Sequence, residues 1–395
     1  MTIRSVVLLI LSLITSPAFA GYPVPIVAAP TSITAFVDAY IRGPVNTPTS
    51  ITSVKQFESV FGSLGDNREP GRQIVLFFAN GGTQALVIRA TDQSVMPARL
   101  TLQQIIGDAH SHTGMHALDN VPIFNLLVLR PLTNLHHADA AEGYVEAMHY
   151  ANDRRAFVLV DPPTDESVTD WLKGQHELRQ TSGAVFYPYL VMLKGSFSGT
   201  LAAQAPASGA VAGKFAQVDQ KSGVWTAAAG PVNGEITGFD KLSADITDAD
   251  VDKFEHLAIN PLRNVMLHGY LIYGTRTLAG SEEASSDARF LFVKRTAQFL
   301  ENSIQSGAHW ISLEPSNPKL WSEIRVWIDQ FLAPLKKRGA FLNYVIVCDF
   351  SNNPATDASQ GRVNVTVEFA PVEPTTFVQI HLTFQSAAPS ANPTR

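Results

Sequence analysis

The sharpest chemical candidate in the sequence is Asp108-Ala109-His110-Ser111-His112, with His116, His136, His137 and Asp139 downstream. A His-x-His pair at the end of a strand can present two imidazoles to one divalent metal, whose bound water then attacks a substrate, as in metal-dependent amidohydrolases. Three features oppose that reading. The preceding Leu100 to Ile106 makes a poor strand, and Gly107, Ser111, Thr113 and Gly114 give the segment the composition of a loop. A barrel of eight βα units also does not fit into the middle of the chain. Solvated loop histidines are the plainer account, and an exported metal-dependent hydrolase built on His110 and His112 is the rival function. The double glycine Gly81-Gly82 invites a phosphate-loop reading, but a Walker loop ends in Gly-Lys-Ser/Thr and no such ending follows. Cys348 is the only cysteine, so no intrachain disulfide forms. Its alternating strand context suits a buried structural thiol, since nothing nearby supplies the base that a nucleophile needs.

The elements that would position these residues are most legible in the last third. Ser286 can cap a helix in which Phe290, Val293, Ala297, Leu300 and Ile304 recur at three- and four-residue steps, and Gly307 stops it. Asn317-Pro318 opens a second helix with a stripe of Leu320, Ile324, Trp327, Phe331 and Leu335, closed by Lys336, Lys337, Arg338 and Gly339. Period two then takes over at Tyr344, Ile346 and Cys348, at Val363, Val365, Val367 and Phe369, and at Val378, Ile380, Leu382 and Phe384. Two helices covering one sheet are expected. Earlier, Thr31 to Val37 reads as a strand, Ser53 caps a helix from Val54 to Phe61 that ends at Gly62, Arg72 to Ala79 forms a second helix, and Ala85 to Arg89 a short strand. Between these blocks, Ile123 to Leu129, Ala156 to Val160 and Val185 to Met192 are buried-strand candidates, with a helix over Asp139 to Asn152. Alternating strand and helix implies a mainly parallel sheet.

At 395 residues and 45% hydrophobic content, with 26 Gly and 24 Pro, the chain is globular and long enough for two or three domains. Its 29 basic and 35 acidic residues leave a net charge of −6, which gives no basic footprint for nucleic acid. Met1 to Ala20 has the make-up of a secretory signal: Arg4, the apolar run Val6 to Ile14, then Pro17 and Ala18-Phe19-Ala20. That run is too short for a comfortable membrane span, so no direct membrane insertion is expected. Export, an upstream or incorrect start codon, and an N-terminal arm that happens to be apolar all fit it.

Several segments together resemble contractile tail sheath proteins, as found in contractile phage tails, tailocins and extracellular contractile injection systems. They are Asn260-Pro261-Leu262-Arg263, Tyr273 to Leu278, Lys294-Arg295, Trp310 to Pro315 with Leu320-Trp321, and Gly361 leading to Ala370-Pro371. The N-terminal region is similar too, through Thr31-Ser32, Arg42 to Asn46, Phe57 to Gly62, Phe77-Phe78 and Asn80-Gly81-Gly82 leading to Val87-Ile88-Arg89. Pro206 to Gly213, Asp219, Gly223-Val224-Trp225 and Ala227 to Gly230 resemble the sheath segment that links the middle domain to the C-terminal block.

The resemblance implies an α/β and α+β multidomain fold, with a subtilisin-like α/β middle domain flanked by N-terminal and C-terminal α+β parts. It divides the chain into a signal-like segment or atypical arm at 1–20, an N-terminal sheath region at 21–98, the middle domain at 99–259, the C-terminal sheath domain at 260–385 and a polar tail at 386–395. It further implies a structural subunit rather than an enzyme. Copies would stack helically as hexameric rings around an inner tail tube protein, between baseplate and tail terminator proteins, in a particle assembled in the bacterial cytoplasm. No cofactor is expected. A subtilisin-like fold raises the question of a Ser-His-Asp triad, but Asp161 has no matching nucleophile motif, and Gly195-Ser196-Phe197-Ser198-Gly199 places Phe where a nucleophile elbow needs Ser. Around Arg276, the acidic Glu282, Glu283 and Asp287 precede Arg289, Lys294 and Arg295, and stacked copies could exchange salt bridges there; a solvated helix face is the plainer account. The strand through Val378, Ile380, Leu382 and Phe384 can lie in its own sheet or extend a neighbour's edge. On the second view, truncation after Pro374 would block polymerisation and leave a folded monomer. An exported, non-contractile surface protein derived from a sheath is a further alternative.

Overall fold

The computed structural model describes residues 24–93, 99–192, 203–280, 289–372 and 378–385. In its first part, apolar runs become strands and capped stretches become helices: β1 (Thr34–Asp38), β2 (Thr49–Ile51), α1 (Val54–Phe61), α2 (Arg68–Ala79) and β3 (Ala85–Arg89). Ser53 caps α1 by accepting from the Gln56 amide, and Gly62 ends it at φ +103°, a conformation that L side chains rarely adopt. The chain continues through α3 (Leu102–Ile106), β4 (Leu126–Val128), α4 (His137–Asp153), β5 (Phe157–Val160), α5 (Val168–Gly174), β6 (Gly183–Tyr187), β7 (Leu190–Met192) and β8 (Ala203–Ala205). Next come α6 (Ser208–Ser222), α7 (Gly230–Asn233), β9 (Lys241–Leu242), α8 (Asp248–His256), β10 (Ile259–Val265) and β11 (Gly269–Ile272). The last part holds α9 (Leu291–Gly307), α10 (Pro318–Lys337), β12 (Asn343–Val347), α11 (Ala355–Ser359), β13 (Arg362–Ala370) and β14 (Val378–Gln385).

An eight-stranded sheet in the order β11-β10-β6-β5-β4-β1-β3-β2 dominates the molecule. Its six inner strands run parallel, while β2 and β11 are antiparallel edges. Side chains alternate between its faces. Val37, Ile88, Leu127, Val158 and Val185 pack with Tyr144 and Met148 of α4 and Trp171 of α5. Phe36, Val87, Leu126, Phe157 and Phe186 face the other way, against Phe77 of α2 and Phe215 of α6. The result is a three-layer α/β/α unit whose single sheet crosses the expected boundaries at 98/99 and 259/260. Parallel strands buried on both faces need helices on both sides, and the helices here come from either side of those boundaries.

One strand expectation changes. Val185 to Met192 is not one strand but two, because Pro188 has no N–H for the ladder. After that break β7 pairs with β8 and β9 in a small antiparallel sheet. Leu102 to Ile106 is helical, held by a capping box between Thr101 and Gln104. Toward the C-terminus, β12-β13-β14 form an antiparallel sheet sharing one core with α9 and α10, as Leu300, Ile324, Trp327, Val365 and Leu382 show. Asn317 caps α10 by accepting from the Leu320 amide, and Phe331 of the expected stripe is only partly buried while its neighbour Leu332 is fully so. Helix α9 begins at Leu291, and the proposed cap Ser286 lies outside the described residues. Trp310 and Ile311 belong to a 3-10 turn over Ala308–Leu313.

Residues 24–31 run as an extended strap across this second core before entering β1. The Trp327 indole donates to the Val24 carbonyl at 2.7 Å, the Ala29 amide to Ser303 Oγ at 2.9 Å, and Arg295 to the Thr31 carbonyl at 2.9 Å. Among the described residues no helix is long and apolar enough to cross a membrane.

Candidate functional site

The carboxyl ends of the parallel strands, where α/β folds tend to carry their sites, hold buried charge. Asp38 ends β1, and both its oxygens accept from the Arg130 guanidinium at 2.5 Å; Arg130 also meets Glu69 at 2.9 Å. Asp161 follows β5 and is fully buried. The Ser208 hydroxyl lies 2.6 Å from Asp161 Oδ2 and 3.1 Å from Gln73 Oε1, while the Ser208 amide donates to Asp161 Oδ1 at 3.2 Å. One hydroxyl hydrogen cannot serve both acceptors. With Asp161 protonated, its O–H donates to Ser208 Oγ and the serine hydrogen goes to Gln73, so every group is satisfied. Burial pushes Asp161 up to about 7 against the lowering effect of the Ser208 hydrogen bonds. Ser208 thus meets a carboxyl and an amide where a triad would place an imidazole. The arrangement braces α6 against β5 and α2. The segment Gly195 to Gly199 lies outside the described residues.

The histidines do not converge as a hydrolase would need. His110 and His112 sit on an exposed turn, and His112 has φ +52°. Asp119 gathers His112 at 3.4 Å, His116 at 3.3 Å and the Tyr150 hydroxyl at 2.8 Å, apart from His110. His136 caps α4, and His137 meets Asp165 at 3.2 Å while Asp139 is exposed in the first turn. The hydrolase reading is corrected accordingly: the loop composition around Gly107 makes a tight turn, in which a Cβ at Gly107 would stand 1.8 Å from the Thr113 carbonyl oxygen. Cys348 is buried, and burial pushes its thiol up to about 12, opposite to what a nucleophile requires.

The charged residues around Arg276 divide into distinct environments. Arg276 pairs with Glu255 at 2.6 Å and lies over the Phe290 ring, beside an open groove of about 410 Å³. Arg289 also lies over the Phe290 ring, 5.0 Å from its centroid. Lys294 reaches Asn152 at 3.2 Å, and burial lowers its pKa against the pull of Glu301. Arg295 is different. It is buried in a bidentate pair with Asp219 at 2.6 and 3.1 Å, stacks on Phe215 and holds the strap at Thr31. Its expected place on an exposed face is therefore corrected, since its partners all lie inside the subunit. Glu282, Glu283 and Asp287 fall outside the described residues.

In β14 the register is intramolecular along its whole length: Val378 faces Phe369, Ile380 Val367, Leu382 Val365 and Phe384 Val363. Ile380, Leu382 and Phe384 are buried in the chain's own core, so this strand completes the C-terminal fold. The interior pairs Arg295–Asp219, Asp38–Arg130 and Asp161–Ser208 were not legible as sites. The one available signal was an acid placed immediately at the end of an apolar strand, as at Asp38 and Asp161.

Two family descriptions match the chain: the phage tail sheath protein central domain over residues 112–278 and the phage tail sheath C-terminal domain over residues 283–385. A prophage protein of Pseudomonas aeruginosa (strain UCBPP-PA14), named for the major tail sheath, is 26% identical over 345 residues, covering 83% of each chain. The tail sheath protein of Vibrio phage KVP40 is 27% identical over 176 residues, 45% of this chain; the match spans only 26% of that longer relative. In fold, the chain is similar to the sheath complex of an extracellular contractile injection system, PVC, in its contracted state. The TM-score is 0.69 at 20% identity, over 97% of this chain and 98% of the other. The central-domain description covers β4 to β11, leaving β1 to β3 of the large sheet outside it, and the C-terminal description covers α9 to β14, in the same order along the chain, and on these matches the chain belongs to the phage tail sheath family.

Proposed function

We propose that the protein is the structural subunit of a contractile sheath, polymerising as stacked hexameric rings around an inner tube and contracting to drive that tube through a cell envelope. The observation that carries this is the likeness of fold over nearly the full length of a contracted sheath subunit. A baseplate and a tail terminator are its further partners in this reading, and the particle assembles in the bacterial cytoplasm. The mainly parallel sheet with helices on both faces supports a subtilisin-like class for the middle of the chain, used as scaffold. Contraction then draws on free energy stored in the extended array, released as subunits repack while their links hold. A head-to-tail interface that closes on itself generates a ring and one that does not generates a filament, so a stack of rings needs both kinds of contact between copies. Arg276, Arg289 and Lys294, with Glu282, Glu283 and Asp287, remain the proposed interlayer face.

Negative-stain electron microscopy of the protein expressed from Gly21, alone and with its tube protein, tests the proposal. Hollow tubes or stacked rings are expected. Monomers in both preparations at high concentration would overturn it.

A further inference from the structure

His136, His137 and Asp165 bring three metal-ligating atoms within 4.8 Å of one another, and no part of the sheath reading uses them. One pair among them already has the spacing of two metal ligands. Two donors bound to one tetrahedral zinc at about 2.0–2.1 Å stand roughly 3.3 Å apart, and His137 Nδ1 lies 3.2 Å from Asp165 Oδ2 with Glu166 Oε2 at 3.8 Å. The rings of His136 and His137 are neighbours, their centroids 3.9 Å apart. His136 Nδ1 accepts from the Ala138 amide at 3.4 Å as the cap of α4, which leaves its Nε2 for a ligand.

The scaffold beneath is fixed. The His137 amide donates to Asp165 at 3.1 Å, and the His137 carbonyl accepts from the indole of Trp171 at 3.0 Å. Trp171 is 1% exposed, so the backbone at His137 is tied directly to the core. Asp165 is held close because β4 and β5 are adjacent parallel strands, and the two segments that leave them run side by side. The α4 N-terminus opposes a cation, an effect that Asp165, Glu166 and Asp139 offset.

We infer that His136, His137 and Asp165 form a surface site for a divalent metal of the zinc class, with Glu166 or water as fourth ligand, clamping the segment after β5 to the start of α4. Two imidazoles and a carboxylate are a borderline donor set that suits zinc and disfavours magnesium or calcium.

The test uses the full chain, stripped with chelator and dialysed against zinc, with bound metal counted by mass spectrometry and Co(II) substituted to report geometry by its visible absorption. One zinc per chain and a tetrahedral Co(II) spectrum are expected. H137A and D165N, both at partly exposed positions, should each weaken zinc binding at least roughly tenfold, or about 1.4 kcal/mol. The H110A/H112A variant should bind as the parent does. The inference is overturned by substoichiometric zinc in the parent chain, by retention in H136A/H137A, or by loss in H110A/H112A. None of these outcomes bears on sheath assembly, which the electron microscopy reads separately.

Discussion

A carboxyl group with no solvent contact must either find a counter-charge or hold its proton more tightly, and burial drives Asp161 toward the second course, raising it to about 7. The sign of its effect on stability follows. The unfolded chain releases this proton near the ordinary aspartate value of 3.8, whereas the folded chain holds it to about 7. Between those values the unfolded state binds fewer protons, so this group makes stability fall as pH rises. Asp161→Asn keeps the donor toward Ser208 and has no proton to lose. The variant is expected to gain on the parent as pH rises from about 4 to about 7, by a few kcal/mol on the order set by the shift; urea unfolding at stepped pH measures it, and parallel profiles would contradict the assignment. Arg295 makes the opposite choice beside Asp219, with both charges out of water. Its place in a Lys-Arg pair on an amphipathic helix reads as surface in the sequence. Only Asp219, 76 residues earlier, shows otherwise, and no local pattern links two such positions.

Elements were legible where a local signal suffices. The bounds of α1 and β3 are those the sequence implies, and the start of α10 follows from Asn317 and Pro318, since a cap or a period-two run is decided within a few residues. What escaped was partner choice. The alternation at Val378 to Phe384 names a half-buried strand without saying whose sheet it joins, and the break at Pro188 sends β7 to a different sheet from β6. The consequence for β14 is testable. Truncation after Pro374 strips Ile380, Leu382 and Phe384 from the C-terminal core. Each such side chain contributes roughly 1.5–3 kcal/mol on burial, so the shortened chain is expected to lose its C-terminal core, not to remain a folded monomer. Limited proteolysis would show early cleavage within α9 to β13; a protease-resistant truncated chain that still fails to polymerise would restore the linking-strand view.

At the scale of the whole molecule, the large sheet draws strands from Thr34 to Ile272, and β1 sits in its middle between β4 and β3. A sequence shows the order of its elements but not their order in a sheet, which is why the chain reads as three consecutive parts. Residues 99–259 expressed alone would lack β1, whose Phe36 and Val37 fill the two faces, and would leave β4 with an open parallel edge. That fragment is expected to be unfolded or aggregated by circular dichroism and sedimentation; a monomeric, cooperatively melting fragment would show the middle part to be self-sufficient. The strap of residues 24–31 adds a constraint of timing. Its partners Ser303, Arg295 and Trp327 lie 274, 264 and 303 positions away from the residues they hold. A ribosome delivers the strap well before its seat, and contacts of such separation form slowly. The strap therefore waits until Arg295, Ser303 and Trp327 have been made, and the seam between the two cores closes only after that.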